Sequence, residues 1–472
     1  MGALFKSVPR EGLGLLCVLF AGVLMSALDI AIVGPALPAI QDAFGVDSRG
    51  LSWVFNIYIL FGLLSAPLMA KLSDRYGRRS IYLLDIALFA FGSLVVAFSP
   101  NFQVLLAGRA VQALGAGGIL PVASAVIGDT FPPERRGPAL GLIGAVFGLA
   151  FLLGPLLGGV LLPWSWRWLF LVNLPIAVVI FRQASRLLPS VRPVMQLPFD
   201  ALGTVLLSMA LLSFALGLSE IDVAAFGSSL TSPRILSLLV VVAVTAPLFW
   251  IAEKRAADPV LDPDLLRSRE LMVVGLISTG TGLAEAGMIF LPALAVASLG
   301  VQESTASFML LPLVSAMIVG APLAGRLLTR WGAKRIIQSG LLFVVSGLLV
   351  FSVSVLSTTT FYLAGALVGI GLSALLGAPL RYIVIREVPE AQRGAGQGLL
   401  TLFLSVGRIA GAAAVGGFVA SWEEDIAGYQ GAYLLVAGMM SLVVMLSVLL
   451  KTDCPPKRRT GVSGASPERR AE

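Results

Sequence analysis

The chain has 472 residues, of which 57% are hydrophobic and only 12% charged, with a formal net charge of +7. A water-soluble domain of this size could not cover so much apolar surface with so few polar groups, so the chain belongs in lipid. A basic balance can also signal a nucleic-acid partner, but the placement of the Lys and Arg residues excludes that reading.

A bilayer core of about 30 Å takes about 20 apolar residues per helix. Such stretches recur at 12–33, 51–70, 81–99, 102–128, 138–162, 168–188, 201–219, 234–252, 271–299, 304–328, 336–356, 360–385, 395–420 and 430–450. The spacing predicts fourteen transmembrane helices in an all-α polytopic membrane protein. The first span follows Lys6 and Arg10 like a signal peptide, but no small-residue cleavage site follows it, and it is read as retained.

With an inside N-terminus, only Arg49, Arg167 and Arg234 of the 33 Lys and Arg fall outside, and only Arg109 and Arg408 fall within helices. All others, Arg381 among them, are assigned to inside segments. This asymmetry predicts a bacterial-type inner membrane protein with both termini cytoplasmic. Cys17 and Cys454 are too far apart in this topology to pair, so neither a disulfide nor a metal site is expected.

Features repeat at offsets of 255–258 residues. Asp29 and Pro35-Ala36-Leu37 return as Glu285 and Pro292-Ala293-Leu294, Lys71 to Gly77 as Arg326 to Gly332, Ala107-Gly108 as Ala364-Gly365, Arg136-Gly137 as Arg393-Gly394, and Gly158-Gly159 as Gly416-Gly417. Duplication is the economical explanation. It predicts a six-helix half at 1–190, two inserted helices with their linkers at 191–269, a second half at 270–452 and a disordered polar tail at 453–472. Equivalent helices of the halves run in the same direction, so a substrate site belongs at their interface near the midplane.

Charges inside membrane helices cost at least about 2.5–3.5 kcal/mol each and are functional candidates that should have partners. They are Asp29, Asp85, Arg109, Glu285 and Arg408. The chain has no histidine, so a carried proton must ride on a carboxylate. Asp29 and Glu285, as repeat equivalents on opposite walls of one cavity, are the natural carriers. Arg109 and Gln112 face Ala366 and Gly369 in the repeat, and that departure from the template marks them. Asp85 lies close enough to the basic loop to neutralise Arg78 or Arg79 instead. Asn56, Tyr58, Asn173 and Tyr382, with Gln112 and Arg408, are candidate cavity-lining groups.

The loop at 71–79 sets Asp74 among Arg75, Arg78 and Arg79 beside Gly77, which permits a tight turn. Asp74 can meet the N-terminal amides of a neighbouring helix and pair with an Arg, making a gate between the halves. Thr329 replaces Asp74 in the second copy, so the gate is expected to be asymmetric. In the fifth span Gly148, Gly154-Pro155 and Gly158-Gly159 allow close helix approach and a kink.

Together these features resemble the major facilitator superfamily over nearly the whole chain. Ala70 to Arg79 is similar to its loop between helices 2 and 3. Leu105 to Arg109 with Gln112 to Gly117 resembles the helix 4 motif of proton-coupled members, and Gly148 to Gly159 the helix 5 motif of antiporters. Leu28 to Val33, Ala36 to Pro38 and Trp166 to Pro175 are similar to the fourteen-helix drug:proton antiporter branch. The resemblance implies two six-helix repeats plus two inserted helices, and a role for Arg109 beside intramembrane acids in proton transfer. It implies a monomeric exporter of small lipophilic, cationic, drug-like compounds by alternating access, with the proton as coupling ion and no other cofactor. An exporter of an endogenous lipid or glycolipid on the same scaffold is the alternative. An enzyme is not expected, since clustered His, Cys or acids and a phosphate-binding loop are all missing from the sequence.

Overall fold

The computed structural model describes residues 10–46, 48–189, 200–220, 231–256, 259, 261, 263–353, 357–420 and 426–451, and the expected tail at 453–472 lies outside them. Those residues form helices α1 (Arg10–Phe44), α2 (Ser48–Tyr76), α3 (Arg78–Ala97), α4 (Phe102–Thr130) and α5 (Pro133–Leu161). Next come α6 (Asn173–Leu187), α7 (Ala201–Ser219), α8 (Pro233–Arg255) and α9 (Arg269–Gly287). The last five are α10 (Leu311–Trp331), α11 (Ala333–Val353), α12 (Thr358–Leu376), α13 (Arg393–Ala420) and α14 (Ile426–Ser447). Short helices at Arg167–Leu171 and Leu291–Leu299 lead into α6 and prolong α9, and Ala378–Glu387 continues α12 beyond a break at Gly377.

Thirteen helices are long and apolar enough to cross a membrane, counted over the described residues. The other expected span is α7, whose apolar described stretch is the shorter Leu202–Phe214. The single-residue turns between α2 and α3 and between α10 and α11 use Gly77 at φ +92° and Gly332 at φ +78°. Both copies of the repeated loop thus need the left-handed region that glycine enters without a steric penalty.

In lipid, association of helices rests on close backbone packing more than on hydrophobic drive. The halves meet along two seams, α2 against α13 and α5 against α10. On the second, a Cβ on Gly141 would lie 2.7 Å from the Ala321 carbonyl, and one on Gly144 would lie 2.5 Å from the Gly377 Cα. Gly137 and Gly148 likewise abut Gly325 and Ile318. The seam therefore runs along Gly137, Gly141, Gly144 and Gly148, only the last of which belongs to the expected glycine run. Gly154 packs instead on Ala31 of α1 within its own half, Gly158 is buried, and Gly159 has open space beside it. Pro155 lies within α5, but its side chain is outside the described set.

The inserted pair α7 and α8 packs on itself. It touches the halves through α7, which leans on both α2 and α13, while α8 is only 17% buried over its apolar window.

Candidate functional site

The N-terminal half contains a closed polar cluster. Asn101 caps α4 by accepting the Val104 amide at 2.9 Å, and Arg109 and Gln112, three residues apart, share one face of that helix. Gly92 of α3 lets the two helices approach until a Cβ there would stand 2.3 Å from the Gln112 amide nitrogen, which brings Ser93 to Gln112. Arg109 donates to Asp29 Oδ2 at 2.5 Å and to Gln112 Oε1 at 2.7 Å. Gln112 Nε2 donates to Asp29 Oδ1 and to Ser93 Oγ, both at 2.7 Å. Asn173 of α6 closes the cluster at 3.4 Å from Asp29. Asp29, Arg109, Gln112 and Asn173 are all 0% exposed. Tyr58 lies with its ring 4.2 Å from the Arg109 guanidinium carbon, a cation–π contact.

Gln112, Asn173 and Tyr58, read from the sequence as cavity-lining candidates, are thus gathered around Asp29 and Arg109. Polar groups in an apolar helix bundle gain more by pairing than by lining a wall. Asn56 is half-buried in α2 and makes no hydrogen bond among the described residues, and Tyr382 packs partly buried on the core.

In the C-terminal half Glu285 holds Arg408 through two bonds, Nε to Oε2 at 2.9 Å and Nη2 to Oε1 at 2.8 Å. Glycines set this distance, because a Cβ on Gly282 would lie 2.0 Å from the Leu404 carbonyl and one on Gly407 would lie 1.9 Å from the Thr279 carbonyl. The pair is less enclosed than its counterpart, with side chains 29% and 11% exposed. Arg408 also lies 5.9 Å from the Phe147 ring of α5, across the division between the halves. Just beyond Glu285 the helix tightens to a 3-10 turn at Met288–Phe290, and Tyr433 donates to the Gly287 carbonyl at 2.9 Å.

Asp85 is fully buried between α3 and α4, against Gly115 and Gly118. Neither of its carboxyl oxygens has a hydrogen-bond partner among the described residues. It does not neutralise Arg78 or Arg79, because it sits two helical turns above Arg78, which is already engaged elsewhere.

At the end of the bundle that carries the basic residues, Asp74 pairs with Arg78 and accepts the amides of Gly394 at 3.0 Å and Ala395 at 2.7 Å. Those amides open α13, whose positive end suits a carboxylate. Arg78 also meets Asp129 Oδ2 at 3.0 Å, and Arg393 reaches across the halves to Asp129 Oδ1 at 3.0 Å and to the Gly128 carbonyl at 3.0 Å. Arg75 stacks on the Tyr76 ring at 5.3 Å, and Arg79 takes no part in the network. Asp129 was not marked by the sequence reading, although an acid ending a span just before Pro132-Pro133 was visible there. The repeat equivalents stay at home. Thr329 bonds the Arg326 carbonyl at 3.0 Å and Arg136 the Phe131 carbonyl at 2.9 Å, so the closure is asymmetric.

Arg381 is also displaced from its expected place. It sits inside the bundle, 3% exposed, on the second segment of α12 and not in an exposed loop. Its reach extends to Ser124 of the other half at 3.4 Å and to Gln397 at 3.2 Å.

Comparison with known proteins gives a match to the Major Facilitator Superfamily model over residues 19–252 and 272–470. Among curated relatives, the MFS-type transporter YfiU of Bacillus subtilis is 36% identical over 86% of this chain and 79% of its own. The multidrug resistance protein Stp of Mycobacterium tuberculosis is 31% identical over 85% of this chain and 74% of its own. A triacylglyceride transporter of Mycolicibacterium hassiacum is 30% identical over 83% and 76% respectively. Among solved structures, the human organic anion transporter MFSD10 superposes with a TM-score of 0.71 over 93% of this chain and 100% of its own, at 21% identity, which speaks for the fold alone.

Proposed function

The chain belongs to the major facilitator superfamily and is a multi-pass membrane transporter, and we propose that it exports small lipophilic compounds in exchange for protons. Its basic end is cytoplasmic in this reading, as the positive-inside rule requires. In this reading the end closed by Asp74, Asp129 and Arg393 is the cytoplasmic one.

The observation that carries proton coupling is the sealed cluster around Asp29. Its carboxylate receives bonds from Arg109, Gln112 and Asn173. A proton arriving at Asp29 cancels the attraction for Arg109. The guanidinium, which does not itself deprotonate, is then left to Gln112 Oε1, to the Tyr58 ring and to the Val54 carbonyl, 3.3 Å from its Nε. That shift of a charge between α1, α2 and α4 is the local event that can bias the rocking of the halves. Glu285, bound to Arg408 where the halves face each other, is the second carrier in this scheme, and Asp85 is a further carboxyl on the cytoplasmic side of Asp29.

Support for drug-like substrates comes from relatives named as multidrug resistance proteins, Stp among them. The relative named as a triacylglyceride transporter supports the alternative, an endogenous lipid as cargo. A cationic cargo is what the resemblance implies, and both acids that could attract one are held by arginines.

The test is proton movement on addition of substrate to reconstituted vesicles, with wild type, Asp29→Asn and Glu285→Gln compared over a panel of lipophilic compounds. Substrate-dependent proton flux in the wild type and its loss in Asp29→Asn are expected. Flux that persists in both variants sinks these carriers, and transport of lipids alone shifts the reading to the alternative.

A further inference from the structure

Of the three arginines deep in the bundle, Arg109 and Arg408 each hold a carboxylate, whereas Arg381 has none among the described residues. Its side chain has only two neutral acceptors, the Ser124 hydroxyl and the Gln397 amide oxygen. Gln397 in turn donates to the Arg381 carbonyl at 3.0 Å, which fixes the amide with its oxygen toward the guanidinium. Glu285 of the same half is already taken up by two bonds to Arg408. An uncompensated guanidinium in a membrane protein is a position waiting for an anion.

Two features of the fold place this charge where a substrate passes. Ser124 and Arg381 are separated by 257 residues, the offset of the internal repeat. Residues related by the repeat can touch only close to the axis that relates the halves, so the contact lies on that axis, about one helical turn in from the gate contact at Gly128. Arg381 also belongs to the first turn of Ala378–Glu387, which begins after the break at Gly377. The positive end of that helix, whose first turn includes Pro379 without an N–H, lies beside the guanidinium, and interrupted helices of this kind are where transporters meet charged groups.

We infer that Arg381 is the recognition point for an acidic group, a carboxylate, sulfonate or phosphate, on an otherwise lipophilic exported compound. The inference rests on the exporter reading and adds to it the charge of the cargo. When the cytoplasmic end opens, Ser124 leaves with its half, and the guanidinium, steadied by Gln397, faces the cleft with one acceptor missing. The acid takes that place. On closure Ser124 returns and competes for the guanidinium, so the closing movement loosens the cargo toward the other side.

The experiment uses three probes of one shape: pyrenebutyrate, its methyl ester and pyrenebutylammonium. Binding to the full-length protein in nanodiscs is read by energy transfer from tryptophan, for wild type, Arg381→Gln, Arg381→Lys and Ser124→Ala. A charge-assisted pair predicts that the carboxylate binds about tenfold more tightly than the ester. Arg381→Gln is expected to erase that preference, Arg381→Lys to retain part of it, and Ser124→Ala to strengthen carboxylate binding. Unchanged ester binding in every variant verifies that the site region is folded. Equal binding of carboxylate and ester by wild type, tighter binding of the ammonium probe, or a preference that survives Arg381→Gln overturns the inference. Proton-driven uptake of the same probes into inverted vesicles separates the two readings. Uptake without dependence on Arg381 keeps the exporter and removes the site, whereas an Arg381-dependent preference without uptake keeps the site and removes the exporter.

Discussion

Gln112 is the residue on which the buried cluster turns, since it accepts from Arg109 and donates to both Asp29 and Ser93. Gln112→Leu keeps the volume and removes all three bonds, leaving buried partners unsatisfied at about 1–3 kcal/mol for each group stranded. The expected result is a lower melting temperature in detergent, and a larger fall than for Asn56→Leu, whose parent residue makes no hydrogen bond among the described residues. Which intramembrane charges need partners was partly legible beforehand. Asp29, Arg109, Glu285 and Arg408 are charges in apolar stretches, and the cost of such charges announces them. Their partnerships were not legible, because a helix period says which residues share a face but not which neighbouring helix that face meets. Asp85 shows the limit: nearness in sequence to Arg78 counted for little once Asp74 and Asp129 had claimed that arginine.

At the scale of elements, glycine decides how helices meet. The close approach of α9 and α13 at Gly282 and Gly407 delivers Glu285 to Arg408, and that of α5 and α10 at Gly141 and Gly144 closes one seam between the halves. Backbone lies on the far side of each of these contacts, so an added side chain has no flexible neighbour to push aside. Gly144→Val is therefore expected to part α5 from α12 and α10 and to favour the state open at the basic end. In a cysteine-free background, dyes at positions 134 and 390 should move apart by energy transfer, whereas Gly159→Val, beside open space, should leave the distance unchanged. The spans and the repeat that ordered these elements were legible because hydrophobic length and offset are one-dimensional signals. Of the glycine run read from the sequence, Gly148 lies on the seam and Gly154 packs within its own half, because glycine content alone does not say which side of a helix faces the other half.

For the whole molecule, the closure at the basic end is a population, not a fixed structure. Asp129 ties Arg78 of one half to Arg393 of the other, and all three are at least three-quarters buried. Asp129→Asn replaces a doubly ion-paired acid by a neutral amide. A loss of about 1–3 kcal/mol shifts a two-state ratio by about 5–150-fold toward the open form. The same dye pair should report that shift, and an unchanged distance distribution would show that the seams alone hold the closure. The asymmetry of this end was legible in Thr329, but the bridging acid was not, since it joins segments 264 residues apart.

The lean of α7 on both α2 and α13 bears on how a compound dissolved in the bilayer gains entry. A cleft between two rocking halves has two side doors, one along each seam, and a lipophilic molecule has no need to pass through water if either is ajar. Here one doorway has a post standing in it, supplied by the inserted pair. The other, between α5 and α10, has hinges of bare glycine and no helix of the inserted pair packed against it among the described residues. If the cargo is a lipophilic compound exported as proposed, its entry from the membrane is expected to be one-sided in the plane of the bilayer.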